Sequence, residues 1–121
     1  MYYELLAHLV GDYVLQSGWM GLNKNKQSFP AFVHAMFYTL PFCVLTTNVY
    51  ALILISGTHF LIDRFSLAKY VCMARNYICP IRLWSSANEI EVPIWLGFWL
   101  TVIVDNTLHL VINALVLYAF T

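Results

Sequence analysis

Four long apolar runs, Leu5–Leu22, Phe29–Thr46, Val49–Lys69 and Val92–Phe120, alternate with short polar breaks along the chain. Each run is near or above the ~20 residues an α-helix needs to cross ~30 Å of hydrocarbon. The pattern predicts four transmembrane helices, over approximately residues 3–22, 29–46, 49–70 and 92–120. The breaks are of turn type. Asn23-Lys24-Asn25-Lys26-Gln27-Ser28 precedes Pro30, Thr46-Thr47-Asn48 makes a short hairpin, and Cys72–Glu91 forms a longer polar connection. They leave no separable soluble domain. Residues 1–121 therefore read as a single integral membrane domain, all-α, a four-transmembrane-helix bundle.

Composition strengthens this picture. Of 121 residues, 61% are hydrophobic and only 10% charged, against about 25% charged in an ordinary soluble domain. A mean hydropathy of +0.71 is more apolar surface than so small a soluble body could cover. Six basic and six acidic residues cancel, so no basic field exists to hold nucleic acid by its phosphates. The first run lacks a basic leader and is interrupted by His8 and Asp12, unlike a cleavable signal peptide.

Charge also sets the orientation. Lys24 and Lys26 lie in the first connection, and Arg64, Lys69, Arg75 and Arg82 lie at or within the third. The positive-inside rule puts both connections in the cytoplasm and both termini outside. Cys43 falls within the second span and Cys72 and Cys79 in the reducing cytoplasmic connection, so they read as structural thiols rather than a disulfide. Tyr2, Tyr3, Trp19, Trp95, Trp99 and Tyr118 near the span ends read as interfacial anchors.

The informative residues are inside the spans. All four histidines and all three aspartates fall there: His8, Asp12, His34, His59, Asp63, Asp105 and His109. An unpaired Asp at mid-span costs about 2.5–3.5 kcal/mol, so something must compensate them. In the first and third spans the order is His-x3-Asp, and in the fourth, which runs the opposite way, it is Asp-x3-His. Four residues return to one helix face a turn later. The pattern thus predicts a His layer, His8, His59 and His109, above an Asp layer, Asp12, Asp63 and Asp105, with His34 approaching from the fourth side.

Imidazole and carboxylate without thiolate suit zinc, manganese or iron, and seven donors are too many for one tetrahedral zinc. We expect two divalent transition-metal ions, zinc foremost, with all seven residues as ligands. Three carboxylates, two such ions and one bridging hydroxide sum to zero, the charge a low-dielectric interior tolerates. Gln16 and Asn113 extend the same stripes and would orient the ligands. Asp63, His34 and Arg64 are the expected catalytic residues, with His34 a ligand or a general acid and Arg64 a fork of donors for phosphate. Hydrogen-bonded helix packing and a proton relay could use the same groups. Haem held by two outer histidines would leave the Asp layer unexplained.

His8-Leu-Val-Gly-Asp12-Tyr-Val-Leu-Gln16, Trp19-Met20, Lys24, His34, His59-Phe-Leu-Ile-Asp63-Arg64 and Asp105-Asn106-Thr107-Leu108-His109 together resemble the bacterial and phage membrane proteins grouped as domain of unknown function 3307. The resemblance covers most of the chain and implies a bacterial inner-membrane, multi-pass protein, but no established activity. That family usually has Gln where this chain has Asn106. Gly57-Thr58-His59-Phe60-Leu61-Ile62-Asp63 is also similar, over about five residues, to a segment of membrane-bound metal-dependent hydrolases. The leading expectation is a dinuclear hydrolase of a lipid or isoprenoid phosphoester that arrives from the bilayer. The alternatives are an intramembrane proton or ion relay or transporter, and a small phage-type effector that binds a host membrane protein with a structural metal. The lateral surface of four short helices also admits a homodimer.

Overall fold

The structure is a computed structural model that describes residues 2–77 and 94–120, and every element among them is helical. Arg82, Cys79 and the side chain of Arg75 lie outside the described residues, as do the first two residues of the fourth expected span. Four helical columns result. The first is not one helix: α1 (Tyr2–Leu9) runs into a π-helical turn (Val10–Val14), and after a break α2 (Gly18–Asn23) follows. The turn is closed by Leu15 N–H donating to Val10 C=O at 2.9 Å. Ser17 then caps α2 by accepting from the Met20 N–H at 3.3 Å.

The second column is α3 (Ser28–Thr39), which tightens into a 3-10 segment (Leu40–Val44). Pro30 in its first turn costs no hydrogen bond, whereas Pro41 cannot continue the α-helical ladder. The third starts where Asn48 Oδ1 accepts from Tyr50 and Ala51 N–H, and gives α4 (Val49–Arg64). Instead of continuing straight to residue 70, the chain bends by 66° into α5 (Leu67–Tyr77). Ser66 causes this with a φ of 51°, a left-handed conformation that no helix can propagate. The fourth column is α6 (Ile94–Phe120).

α3 packs on α4, α4 on α6, α6 on α1, and α1 on the 3-10 segment after α3, so the columns close on one another. A small apolar core of Ala7, Tyr38, Phe42 and Ile55 fills one end, with Leu45, Leu52, Val116 and Leu117 against it. Gly11 allows the closest approach, since a Cβ there would lie 2.7 Å from Tyr38 Cδ2 and 2.9 Å from its carbonyl oxygen.

Among the described residues one helix, Trp95–Phe120, is long and apolar enough by itself to cross a membrane. Only 11% of its apolar window is buried, unlike the core helix of a soluble protein. α4 with the start of α5 qualifies only as a bent pair, and Ser28–Val44 is a shorter apolar helix. The burial pattern is inverted relative to a soluble domain. His8, His34, His59, Asp63, His109 and Asn113 are buried, while Leu6, Phe32, Ile53, Leu61, Val111 and Leu115 face outward.

Candidate metal centre

Three columns converge on Asp63. In α4 the regular spacing brings His59 Nε2 to 3.2 Å from Asp63 Oδ2 one turn on. In α6 the reversed order does the same, with His109 Nε2 3.5 Å from Asp105 Oδ2. His109 then crosses to α4, its Nε2 3.3 Å from Asp63 Oδ1. His34 arrives from α3, its Nε2 3.1 Å from Asp12 Oδ1 and 3.2 Å from Asp63 Oδ2. Asp12 sits in the π-helical turn and stays near His8, one turn before it. The two side chains are 3.7 Å apart at their closest ionic atoms, while Asp12 reaches His34.

Two groups of ligand atoms emerge, each within 4.8 Å throughout: Asp12, His34, His59 and Asp63, all buried, and Asp12, Asp105 and His109. In the first, His34 Nε2 to His59 Nε2 is 2.9 Å, and the other His–Asp edges run from 3.1 to 3.6 Å. A tetrahedron with metal bonds of about 2.0–2.1 Å has edges of about 3.3–3.4 Å, so these atoms fit around one ion. Asp63 Oδ2 gathers three nitrogens, Lys24 Nζ at 2.9 Å and the Nε2 atoms of His34 and His59 each at 3.2 Å. The cluster could hold a metal ion. Asp12 belongs to both groups, and Asp63 turns one oxygen to His34 and His59 and the other to His109. Asp105 is the least buried member, its side chain 29% exposed, so the second group is the open one.

His8, expected as a ligand, belongs to neither group. Its Nδ1 is 2.8 Å from the Tyr38 hydroxyl and its Nε2 2.7 Å from Asn106 Oδ1. Those bonds occupy both ring nitrogens and make His8 a buried support. Asn106 is held in turn by Tyr13, donating to its hydroxyl at 2.7 Å. Asn113 faces Tyr38. It donates to the Tyr38 hydroxyl at 2.6 Å, and the Tyr38 ring stacks on His59 with centroids 3.5 Å apart. Gln16 lines the cavity described below, with its Oε1 buried and unpartnered. Arg64 points elsewhere: its Nε donates to Ser28 Oγ and its Nη1 to Asn25 C=O, both at 3.2 Å, tying α4 to the first connection.

Lys24 is the cation that reaches the cluster, its Nζ 2.9 Å from Asp63 Oδ2, 3.9 Å from Asp12 Oδ1 and 3.5 Å from His34 Nε2. Burial by itself would lower its pKa, but Asp63 and Asp12 more than offset this and raise it above the usual lysine value. Sequence reasoning missed Tyr38, Asn106 and Lys24 as site residues. Tyr38 had a signal, four residues after His34 on one helix face. Lys24 stood among the motif residues of the resemblance, but no helix spacing tied it to Asp63, 39 residues on.

Beside the cluster lies a cavity of about 680 Å³ between the π-helical turn, the α4–α5 bend and α6. Asp12, Asp63 and Asp105 form part of its wall, with Lys24 and Lys69 as its cations and Ile62, Ala68, Phe98 and Val102 as apolar lining.

The comparisons agree with the sequence motifs. A family model described as "Protein of unknown function (DUF3307)" matches residues 1–121. The chain belongs to this family. No curated protein and no solved structure matches it.

Proposed function

We propose that this chain is a multi-pass bacterial inner-membrane hydrolase whose His/Asp cluster holds two divalent transition-metal ions, zinc foremost, and cleaves a lipid or isoprenoid phosphoester. One observation carries the reading: Asp12 is shared between a closed, four-donor group and an open, three-donor group that faces a cavity, and Asp63 of the first lies 3.3 Å from His109 of the second. Structural zinc sites are closed and catalytic ones keep an open position. Two divalent ions held there would supply a hydroxide at neutral pH and polarise a phosphoryl oxygen. His34, His59, Asp12 and Asp63 would hold the inner ion, and Asp105 and His109 the outer one. His8, through Tyr38 and Asn106, fixes the surrounding packing.

The inverted burial pattern supports four columns in lipid, including the three that do not qualify singly as spans. The cavity's apolar lining and the 60% exposure of Phe98 suit a substrate that enters sideways from the bilayer.

The test is metal content of detergent-purified protein by mass spectrometry, with His59→Ala and Asp105→Ala alongside. About two ions per chain are expected, with fewer in both variants. Folded protein that binds no metal would overturn the reading. It would favour a proton relay instead, for which the run of ring nitrogens from His34 to His59 at 2.9 Å and His59 to His109 at 3.0 Å is the supporting observation.

A further inference from the structure

We propose that Lys24 and Lys69 form a phosphoryl-anion subsite that becomes competent only when metal occupies the cluster, Lys24 being the cation that metal displaces. This rests on the metal reading above. The Lys24 ammonium lies against Asp63 Oδ2, Asp12 Oδ1 and His34 Nε2, three of the four atoms of the closed group. A divalent ion among those atoms repels the ammonium at that range. The lysine stem is flexible, and Lys24 also lines the cavity, so the displaced head group has a place to go. Lys69 stands on the same wall, exposed and making no ion pair with the cluster among the described residues.

Charge makes the dependence on metal strong. Three carboxylates against two ammoniums leave the metal-free cavity one negative charge, which repels an anion. Two divalent ions and the hydroxide between them would convert that to two positive charges, a match for a phosphate or diphosphate ester. Ser66 and Asn25 on the same wall supply neutral polar groups, and Phe98 and Val102 offer contact to an apolar chain. The recognised chemistry is a phosphoryl group, from a lipid headgroup or a soluble ester.

The full chain in detergent micelles, stripped of metal and then reloaded with zinc, is titrated with phenylphosphonate by calorimetry while bound zinc is measured on the same samples. The zinc-loaded chain is expected to bind at least about tenfold more tightly than the stripped one. Lys24→Gln and Lys69→Gln are each expected to retain zinc and lose about tenfold in phosphonate affinity, the loss one charge-assisted hydrogen bond carries. Lys69→Gln removes a group outside the cluster, so the subsite remains testable if Lys24→Gln fails to fold. Competition by phosphatidic acid added to the micelles assigns the anion to a lipid headgroup, and its absence assigns it to a soluble ester. Equal affinity in the stripped chain, unchanged affinity in both lysine variants, or zinc loss in Lys24→Gln overturns the proposal. Zinc bound without any phosphonate binding overturns this subsite alone, whereas a wild-type chain that takes up no zinc overturns the metal reading with it.

Discussion

Tyr38 is where the apolar core and the polar cluster meet. Its ring stacks on His59, while its hydroxyl serves both His8 and Asn113, all at buried positions. Tyr38→Phe keeps the stack and deletes the hydroxyl, leaving two buried polar groups without that partner. Each such group costs about 1–3 kcal/mol. Chemical unfolding in detergent is expected to show a loss of about 2 kcal/mol or more. Metal stoichiometry should stay unchanged, because Tyr38 supplies no ligand atom. A fall in bound metal would instead show that the stack positions His59. Arg64 and Lys24 make a second lesson at this scale. Both are basic and near the same end, yet the neighbour of Asp63 in sequence turns away to Ser28 and Asn25, and the distant Lys24 comes in.

Two local departures from regular helix build the site. The π-helical turn at Val10–Val14 inserts extra chain into one turn and carries Asp12, whose Oδ1 lies 3.1 Å from His34 Nε2. The bend at Ser66 redirects the chain after Asp63 and places Lys69 on the cavity wall. Because the bend needs a left-handed residue, Ser66→Gly should be tolerated and mildly stabilising. Ser66→Val should destabilise by about 1–2 kcal/mol, the penalty for a Cβ in that conformation. Thermal melting of the two variants checks this, and a Val variant as stable as wild type would show that the chain bends by other means. Neither irregularity was legible in the pattern of apolar residues. Hydropathy averages over a turn, and the π-turn and the left-handed residue each involve only a few positions.

For the molecule as a whole, the first and third connections meet at one end, where Arg64 donates to Asn25 and Lys24 pairs with Asp63. Asn48 and the end of α6 meet at the other, through Asn48 Nδ2 and the Phe120 carbonyl. If the four columns span the membrane, the positive-inside rule puts the basic end in the cytoplasm. With Cys43, Cys72 and Cys79 replaced by Ser, a cysteine introduced in place of Thr47 is expected to react with an impermeant maleimide from outside. One in place of Lys26 should react only after the membrane is opened. Equal labelling of both from outside would refute four crossings.

The sequence by itself determined the helical class, the family and the set of groups that had to find one another, because seven His and Asp side chains in apolar runs cannot be buried apart. It also determined the pairs His59-Asp63 and Asp105-His109, which depend only on regular helix spacing. Tertiary structure decided the rest. His8 bonds to Tyr38 and Asn106 and belongs to neither ligand group, and packing of α3 against the π-helical turn and α4 brought His34 and Tyr38 inside. Which cation faces Asp63 depended on how two connections fold onto the same end, a long-range property that no local spacing encodes.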